Sequence, residues 1–318
     1  MEASDIERRR EAWSSYWAAG GLHSCIGRLV DDPAGAINRF WRDCFAGLRE
    51  GDRVLDLATG NGALPKLLKD TVRCRVRVDA VDLADVAPGW RAADADDGIT
   101  FHSGVRMESL PFGDASFDLV ASQFGLEYAN WPEALDEAVR VCGAGGRLAF
   151  VMHHAGSLIV RMGHGEQAQQ DFLLAGGGLL EVAAAFLPHL ARVQAGGAPD
   201  APANRARMAY NDAMRQLASR IDGDPAPHLL VEARDQVHGI VGGRFGADVA
   251  QRGLQLQAYA RALTDASLRT RELLACALDG ARAERLAETL RSRRPGHAVD
   301  IAPLAQGGDI VAWGVRAI

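Results

Sequence analysis

Two carboxylates and the glycine turn between them are the parts of this 318-residue sequence best suited to holding a ligand. Asp56 closes the run RVLDL and leads into ATGNG, so it stands at the carboxyl edge of a strand just before a tight turn through Gly60 and Gly62. In open α/β sheets that edge is where ligands bind. The glycines let backbone approach a ligand with no Cβ in the way, and the helix beginning near Ala63 directs amide N–H groups into the same crevice. Asp82 closes a second run, VRVDAVDL, 20 residues after Gly62, where a carboxylate can accept both hydroxyls of a ribose. Taken singly, Asp56 could be a turn-stabilising acid and Asp82 a helix cap.

A dinucleotide would satisfy this much. Its fingerprint, however, wants a third glycine where this chain has Pro65, and Asp56 beside the turn would repel a pyrophosphate. A ligand carrying a positive ammonium group would be favoured by the same carboxylate.

The elements that must position these residues follow from the texture of the chain. Short β-branched or apolar runs recur as RVLDLA, VRVDAVDL, GITFHS, FDLVAS and GRLAFVM, with helical stretches such as ALPKLLKD and WPEALDEAVRVC between them. Strands alternating with helices imply a parallel sheet covered on both faces. Gly143, Gly145 and Gly146 are expected to stop the helix before the fifth strand and turn the chain. Residues 1–50 carry Trp13, Tyr16, Trp17, Ile26, Leu29, Phe40, Trp41 and Phe45 at mixed helical spacing, which predicts two or three short helices packed over one end of the sheet. From about 156 to 295 the strand signal gives way to helical stripes, for example Tyr210, Met214, Leu217 and Ile221, or Leu179, Val182, Phe186, Leu190 and Val193. AVDIAP and DIVAWGVRAI then flank Gly307 and Gly308 as an antiparallel hairpin.

Composition removes several classes of function. The net charge of −6, with Lys and Arg scattered rather than gathered, offers no basic face for nucleic acid. The five cysteines, Cys25, Cys44, Cys74, Cys142 and Cys276, show no paired or zinc-like spacing, so no metal is expected and they read as reduced thiols of a cytoplasmic protein. MEASDIERRREAW is too charged for a secretory leader, and later apolar runs are interrupted by Glu181 or glycines, so no membrane segment is expected.

The segments VLDLATGNG, VDAVDLAD, MESLPFGDASFDLV and EALDEAVRVCGAGGRLAF together resemble the class I S-adenosylmethionine-dependent methyltransferases, in order and spacing, over about residues 50–155. The likeness is to the small-molecule branch, with motifs like those of the quinone-biosynthesis enzymes. It implies a doubly wound, mostly parallel seven-stranded sheet of Rossmann-like methyltransferase fold, with a C-terminal antiparallel hairpin and a large helical insertion. The domains would be an N-terminal helical cap (1–50), an S-adenosylmethionine-binding α/β domain (51–155 plus 296–318), and an insertion (156–295) serving as lid, substrate wall or homodimer interface.

By the same resemblance Asp56, Ala58 and the turn through Gly60 and Gly62 would hold the methionine portion, and Asp82 with Leu83 the ribose. Met107 and Glu108 would meet the adenine edge, and Gln123 and Phe124 the floor near the methyl group. Two positions depart from the family pattern: its usual glycine is Ala58 here, and Arg106 stands where an acid usually precedes the L-P-F segment. Trp13, Tyr16, Trp17, His23 and Trp41 could cap the bound cosubstrate.

Methyl transfer from a sulfonium is an in-line displacement, so the main task is to align the nucleophile in a dry pocket. An acceptor that must lose a proton needs a base near the ends of strands four and five, where His153, His154, Glu127 and Tyr128 are the candidates. No D/N-P-P-Y/F segment follows the fourth strand, where SQFGLEY stands, which turns the expectation further from nucleic-acid bases. The leading expectation is methyl transfer to an O, N or C atom of a small, fairly apolar metabolite. An NAD-dependent oxidoreductase, or a catalytically degenerate partner subunit, remain the alternatives.

Overall fold

The computed structural model describes residues 3–24, 32–92, 95, 97–244 and 248–318. Cys25, Ile26 and Leu29, singled out above, lie outside the described residues. Seven strands occur among the described residues: β1 (Arg53–Leu57), β2 (Arg77–Asp82), β3 (Ile99–Ser103), β4 (Phe117–Gln123), β5 (Cys142–Met152), β6 (Val299–Gln306) and β7 (Asp309–Ala317). Ten α-helices are found among the described residues. Those before the fifth strand are α1 (Ala3–Ala18), α2 (Ala36–Phe45), α3 (Ala63–Thr71) and α4 (Trp131–Val141). The rest are α5 (Leu158–Leu173), α6 (Leu179–Gln194), α7 (Ala201–Gly223), α8 (His228–Gly242), α9 (Val249–Cys276) and α10 (Gly280–Arg293).

The strands make one sheet in the order β3-β2-β1-β4-β5-β7-β6. The first five run parallel, and β7 lies antiparallel between β5 and β6. This is the doubly wound sheet with a terminal hairpin that the motif series implies. Alternating side chains explain why both faces are covered. Leu55, Leu57, Val120, Leu148 and Phe150 pack with Leu135 and Ala138 of α4 and Leu286 and Leu290 of α10. Val54, Val78, Leu119 and Ala149 pack on the opposite face with Ile37, Phe40 and Trp41 of α2 and Leu64 and Leu68 of α3. Central parallel strands buried on both faces must be apolar along their length, which is the texture of FDLVAS and RLAFVM.

One expectation needs correcting. Gly143, Gly145 and Gly146 do not turn the chain: α4 ends at Val141, and β5 starts at Cys142 with the glycines inside the strand. The pairing of β4 with β5 shifts register between Phe117 and Leu119, and a Cβ on Gly146 would lie 2.8 Å from Cys142 Sγ and 2.9 Å from the Phe117 carbonyl oxygen. The glycines therefore allow a bulged, close strand approach, a role glycine also has within sheets.

Residues 1–162 and 272–318 form one compact unit, and residues 163–271 a second. The second has its own apolar core, in which Leu179, Ala183 and Phe186 of α6 meet Tyr210 and Leu217 of α7, Val237 and Ile240 of α8, and Leu256 and Leu263 of α9. Met214 and Ile221 pack against this core from α7. Asp200 starts α7 as an N-cap, its Oδ1 accepting the Ala203 N–H at 2.9 Å. No helix among the described residues is long and apolar enough to cross a membrane.

Candidate functional site

The strand order reverses at β1, which has β2 on one side and β4 on the other. A crevice opens at the carboxyl ends of these strands, the usual ligand position in open α/β sheets. Asp56 is 2% exposed at its foot, and its Oδ2 has no hydrogen-bond partner among the described residues. Burial pushes the Asp56 carboxyl up to about 7; the Thr59 hydroxyl beside it offsets part of the rise and the nearby Asp82 charge adds to it. Asp82 is pushed up to about 6, also by burial, although backbone donors hold it: Gly60 N–H reaches Oδ2 at 2.7 Å, Ala84 N–H reaches Oδ1 at 2.8 Å, and the Leu83 N–H adds a weaker pull. The carboxylate, with about four acceptor sites, keeps capacity for a ligand hydroxyl.

Gly60 and Gly62 take φ values of 55° and 78° in the turn. Their missing side chains also make room for packing: a Cβ on Gly60 would lie 2.4 Å from the Trp17 ring, and one on Gly62 2.7 Å from the Phe101 ring. The two glycines shape the turn without themselves lining the crevice.

The crevice contains about 1060 Å³ of empty space, its opening to solvent included. Asp56, Ala58, Asp82, Leu83, Met107, Glu108, Gln123, Phe124 and Tyr128 all line it. Glu108 is anchored by accepting the Asn130 N–H at 3.1 Å, and Arg106 sits 3.4 Å from its other oxygen. Gln123 receives the Trp41 indole N–H at 2.6 Å, so Trp41 is a buried support of the site rather than a cap.

The opposite wall comes from α1 and the residues after it. Trp13 and Trp17 stack with ring centroids 5.9 Å apart, and Tyr128 meets Trp13 edge-on at 5.9 Å. His23 joins the lining, while Tyr16 donates its hydroxyl hydrogen to the His23 carbonyl at 2.9 Å. Sequence reading missed Ile6, Arg9 and Arg10, which also face the crevice. The signal was present: Ile6, Arg10, Trp13 and Trp17 recur at i, i+4, i+7 and i+11, one face of a helix.

Of the four base candidates, only Tyr128 lines the crevice. Glu127 and His153 form a buried pair behind it. Glu127 Oε1 lies 2.7 Å from both the His153 N–H and Nδ1, so Nδ1 carries the proton. The His153 ring packs 4.4 Å from Phe124 and 5.8 Å edge-on from Tyr128, two residues that reach the crevice. His154 stacks on Trp313 at 4.4 Å and its Nδ1 accepts the Gly156 N–H, away from the crevice lining.

The sequence model of the methyltransferase domain family matches residues 55–150. The ubiquinone/menaquinone biosynthesis C-methyltransferase UbiE of Xylella fastidiosa is 37% identical over 119 residues, covering 35% of this chain and 47% of the relative. The UbiE of Xanthomonas campestris pv. campestris is 38% identical over 123 residues, with the same coverage. The chain thus spans about half the length of the curated relatives it matches. Among solved structures, the Burkholderia thailandensis 1,6-didemethyltoxoflavin-N1-methyltransferase, with bound 1,6-didemethyltoxoflavin and S-adenosylhomocysteine, is 21% identical over 48% of this chain and 63% of its own, at a TM-score of 0.37.

Proposed function

Residues 55–150 are a class I S-adenosylmethionine-dependent methyltransferase domain, and from that premise we propose that this protein methylates a small, apolar acceptor held beside Tyr128. The observation that carries the reading is the buried Asp56 Oδ2 at the foot of the crevice, which has no hydrogen-bond partner among the described residues. A buried, unpaired carboxylate is costly, and an ammonium group supplies what it lacks. S-adenosylmethionine carries such a group and, when bound, supplies an electrophilic methyl on its sulfonium.

The chain's own residues would divide the work along the crevice. Asp56 accepts hydrogen bonds from the amino group, and Asp82 from the ribose hydroxyls. Met107 and Glu108 meet the adenine edge. Gln123, Phe124 and Tyr128 border the acceptor, and Trp13 and Trp17 close the opposite side against water. Alignment in a dry pocket is then the main catalytic contribution. Where the acceptor carries a hydroxyl or amine, the Tyr128 hydroxyl is the side-chain group placed to hydrogen-bond it, with the released proton passing to water and with His153, held by Glu127, packed behind Tyr128 and Phe124. The names of the relatives, together with the aromatic walls, favour carbon methylation of a quinone-like ring over an oxygen or nitrogen acceptor.

Calorimetric titration of S-adenosylmethionine and S-adenosylhomocysteine, with NAD as a control, tests the premise. Micromolar binding is expected, weakened about 100-fold in Asp82→Ala through loss of charge-assisted hydrogen bonds. Binding of NAD alone would sink the reading. Transfer of labelled methyl to a quinol lacking one ring methyl, compared with phenol and amine acceptors, tests the choice of atom.

A further inference from the structure

The α1 wall has to stay against the glycine turn for the crevice to have two sides, and two of its polar contacts are exposed and weak. Arg10 pairs with Asp85 at 3.1 Å, but their side chains are 37% and 64% exposed, and such pairs contribute little. Ser14 accepts the Asp85 N–H at 2.9 Å at an exposed position. Arg9 is better placed, with Nε 2.7 Å from Glu272 and Nη1 donating to the Tyr128 carbonyl at 2.9 Å.

Asn61 is different. It sits inside the turn itself, between Gly60 and Gly62, and is 2% exposed. Its Nδ2 donates two hydrogen bonds, to the Trp17 carbonyl at 2.9 Å and the Gly21 carbonyl at 2.8 Å. Two carbonyl acceptors on one side settle the orientation of the amide, because the flipped form would place oxygen against oxygen. The Asn61 backbone carbonyl is in turn fixed by the Trp90 indole N–H at 2.7 Å, while its side-chain Oδ1 has no partner among the described residues. The tie lands where the Trp17 ring fills the space left by the absent Gly60 side chain. A single side chain thus joins the end of α1 to the turn that carries Asp56 and gives Asp82 its Gly60 hydrogen bond.

We propose that Asn61 is a positioning residue that fastens the Trp13–Trp17 wall to the glycine turn and so couples the two ends of the crevice. This rests on the crevice being the cosubstrate site. Because Asn61 does not line the crevice, it acts through Trp17 and the turn rather than by touching a ligand.

Asn61→Asp keeps the shape, removes both donors and sets a carboxylate against two carbonyl oxygens. Asn61→Ser keeps one donor. Arg8, Arg9 and Arg10 place trypsin sites within α1, so the tether can be read without any ligand. Four measurements are needed: the trypsin cleavage rate at these arginines, the thermal midpoint, the affinity for S-adenosylhomocysteine, and the tryptophan fluorescence change as that compound is titrated.

In Asn61→Asp we expect cleavage at least tenfold faster, affinity about tenfold lower, and most of the fluorescence change lost; burying a carboxylate against two carbonyls lowers the thermal midpoint as well, so cleavage should quicken by more than that fall accounts for. Asn61→Ser should recover part of each. A variant that is protected like the parent and binds S-adenosylhomocysteine with the parent's fluorescence change overturns the proposal. So does a fall in thermal midpoint that accounts for all the lost protection in Asn61→Asp and Asn61→Ser alike. Failure of the parent protein to bind S-adenosylhomocysteine overturns the functional reading instead, and the trypsin comparison still decides whether Asn61 holds α1.

Discussion

The two ends of the crevice are built by opposite means. The turn end comes from one continuous passage, 56–64, with Asp82 brought alongside by the pairing of β1 with β2. Its carboxylates are buried with no cation from the described residues to neutralise them. The Tyr128 end is gathered from α1, the end of β4, the 126–128 turn, the end of β5 and Glu272; there each acid has one oxygen on a cation or ring N–H, while Glu127 Oε2 and Glu272 Oε2 have no partner among the described residues. Gln123 has Trp41, His153 has Glu127, and Arg9 has Glu272. The turn end holds an unfavourable charge arrangement that a cationic ligand relieves, whereas the Tyr128 end is a preformed shape held by internal pairs.

This contrast makes opposite predictions for acid removal at each end. Glu127→Ala strands the His153 N–H and Nδ1–H in the core and should cost about 3 kcal/mol of unfolding free energy in urea. Its affinity for S-adenosylhomocysteine should change less than its stability. Asp56→Asn should instead stabilise the ligand-free protein by about 1–2 kcal/mol at pH 8 while abolishing binding, the trade expected where function requires an unfavourable charge. Equal destabilisation by both variants would erase the distinction.

The pH dependence sharpens it. Both carboxyls at the turn end are raised above their ordinary value of 3.8, to about 7 for Asp56 and about 6 for Asp82. The folded protein therefore binds more protons than the unfolded chain between roughly pH 4 and 7, so their contribution to stability falls as pH rises through that window. Binding of an ammonium group needs ionised Asp56, so affinity for S-adenosylhomocysteine should rise by up to about tenfold per pH unit below 7 and level off above it. Calorimetry in buffers of different ionisation heat should register proton release near pH 6.5. A flat profile would mean that Asp56 is already ionised in the free protein.

The smallest expected effect lies at the turn backbone. Ala58 takes a φ of 55°, a left-handed conformation that suits glycine, which is the residue common at this position in the family resembled. Ala58→Gly should relieve the strain and raise stability by up to about 1 kcal/mol, with cosubstrate affinity little changed. A loss of stability would show that the Ala58 methyl contributes more by packing than its backbone costs.

How much was legible in the sequence follows the same division. Asp56, the glycine turn and Asp82 are local: a strand-end acid, a turn residue and a second strand-end acid keep their meaning whatever else the chain does. The parallel strands were legible because strands buried on both faces read as unbroken apolar runs. Gly143, Gly145 and Gly146 were misread because glycine marks a bulge and a turn with the same letter, and only pairing with β4 distinguishes them. His154 and Trp41 could not be placed from residue type, since whether an aromatic faces a crevice or a core depends on what packs over it.

The sequence by itself determined the sheet, its glycine turn and the acids at its edge, because hydrophobic period and turn chemistry are written within a few neighbouring residues. Only the tertiary structure decided that α1 forms the opposite wall, that Asn61 grips its end, and that Glu127 and His153 pair behind Tyr128. The hydrogen bonds of Asn61 and of Glu127 with His153 join residues 26 to 44 positions apart, and no local propensity specifies which distant partner a side chain meets.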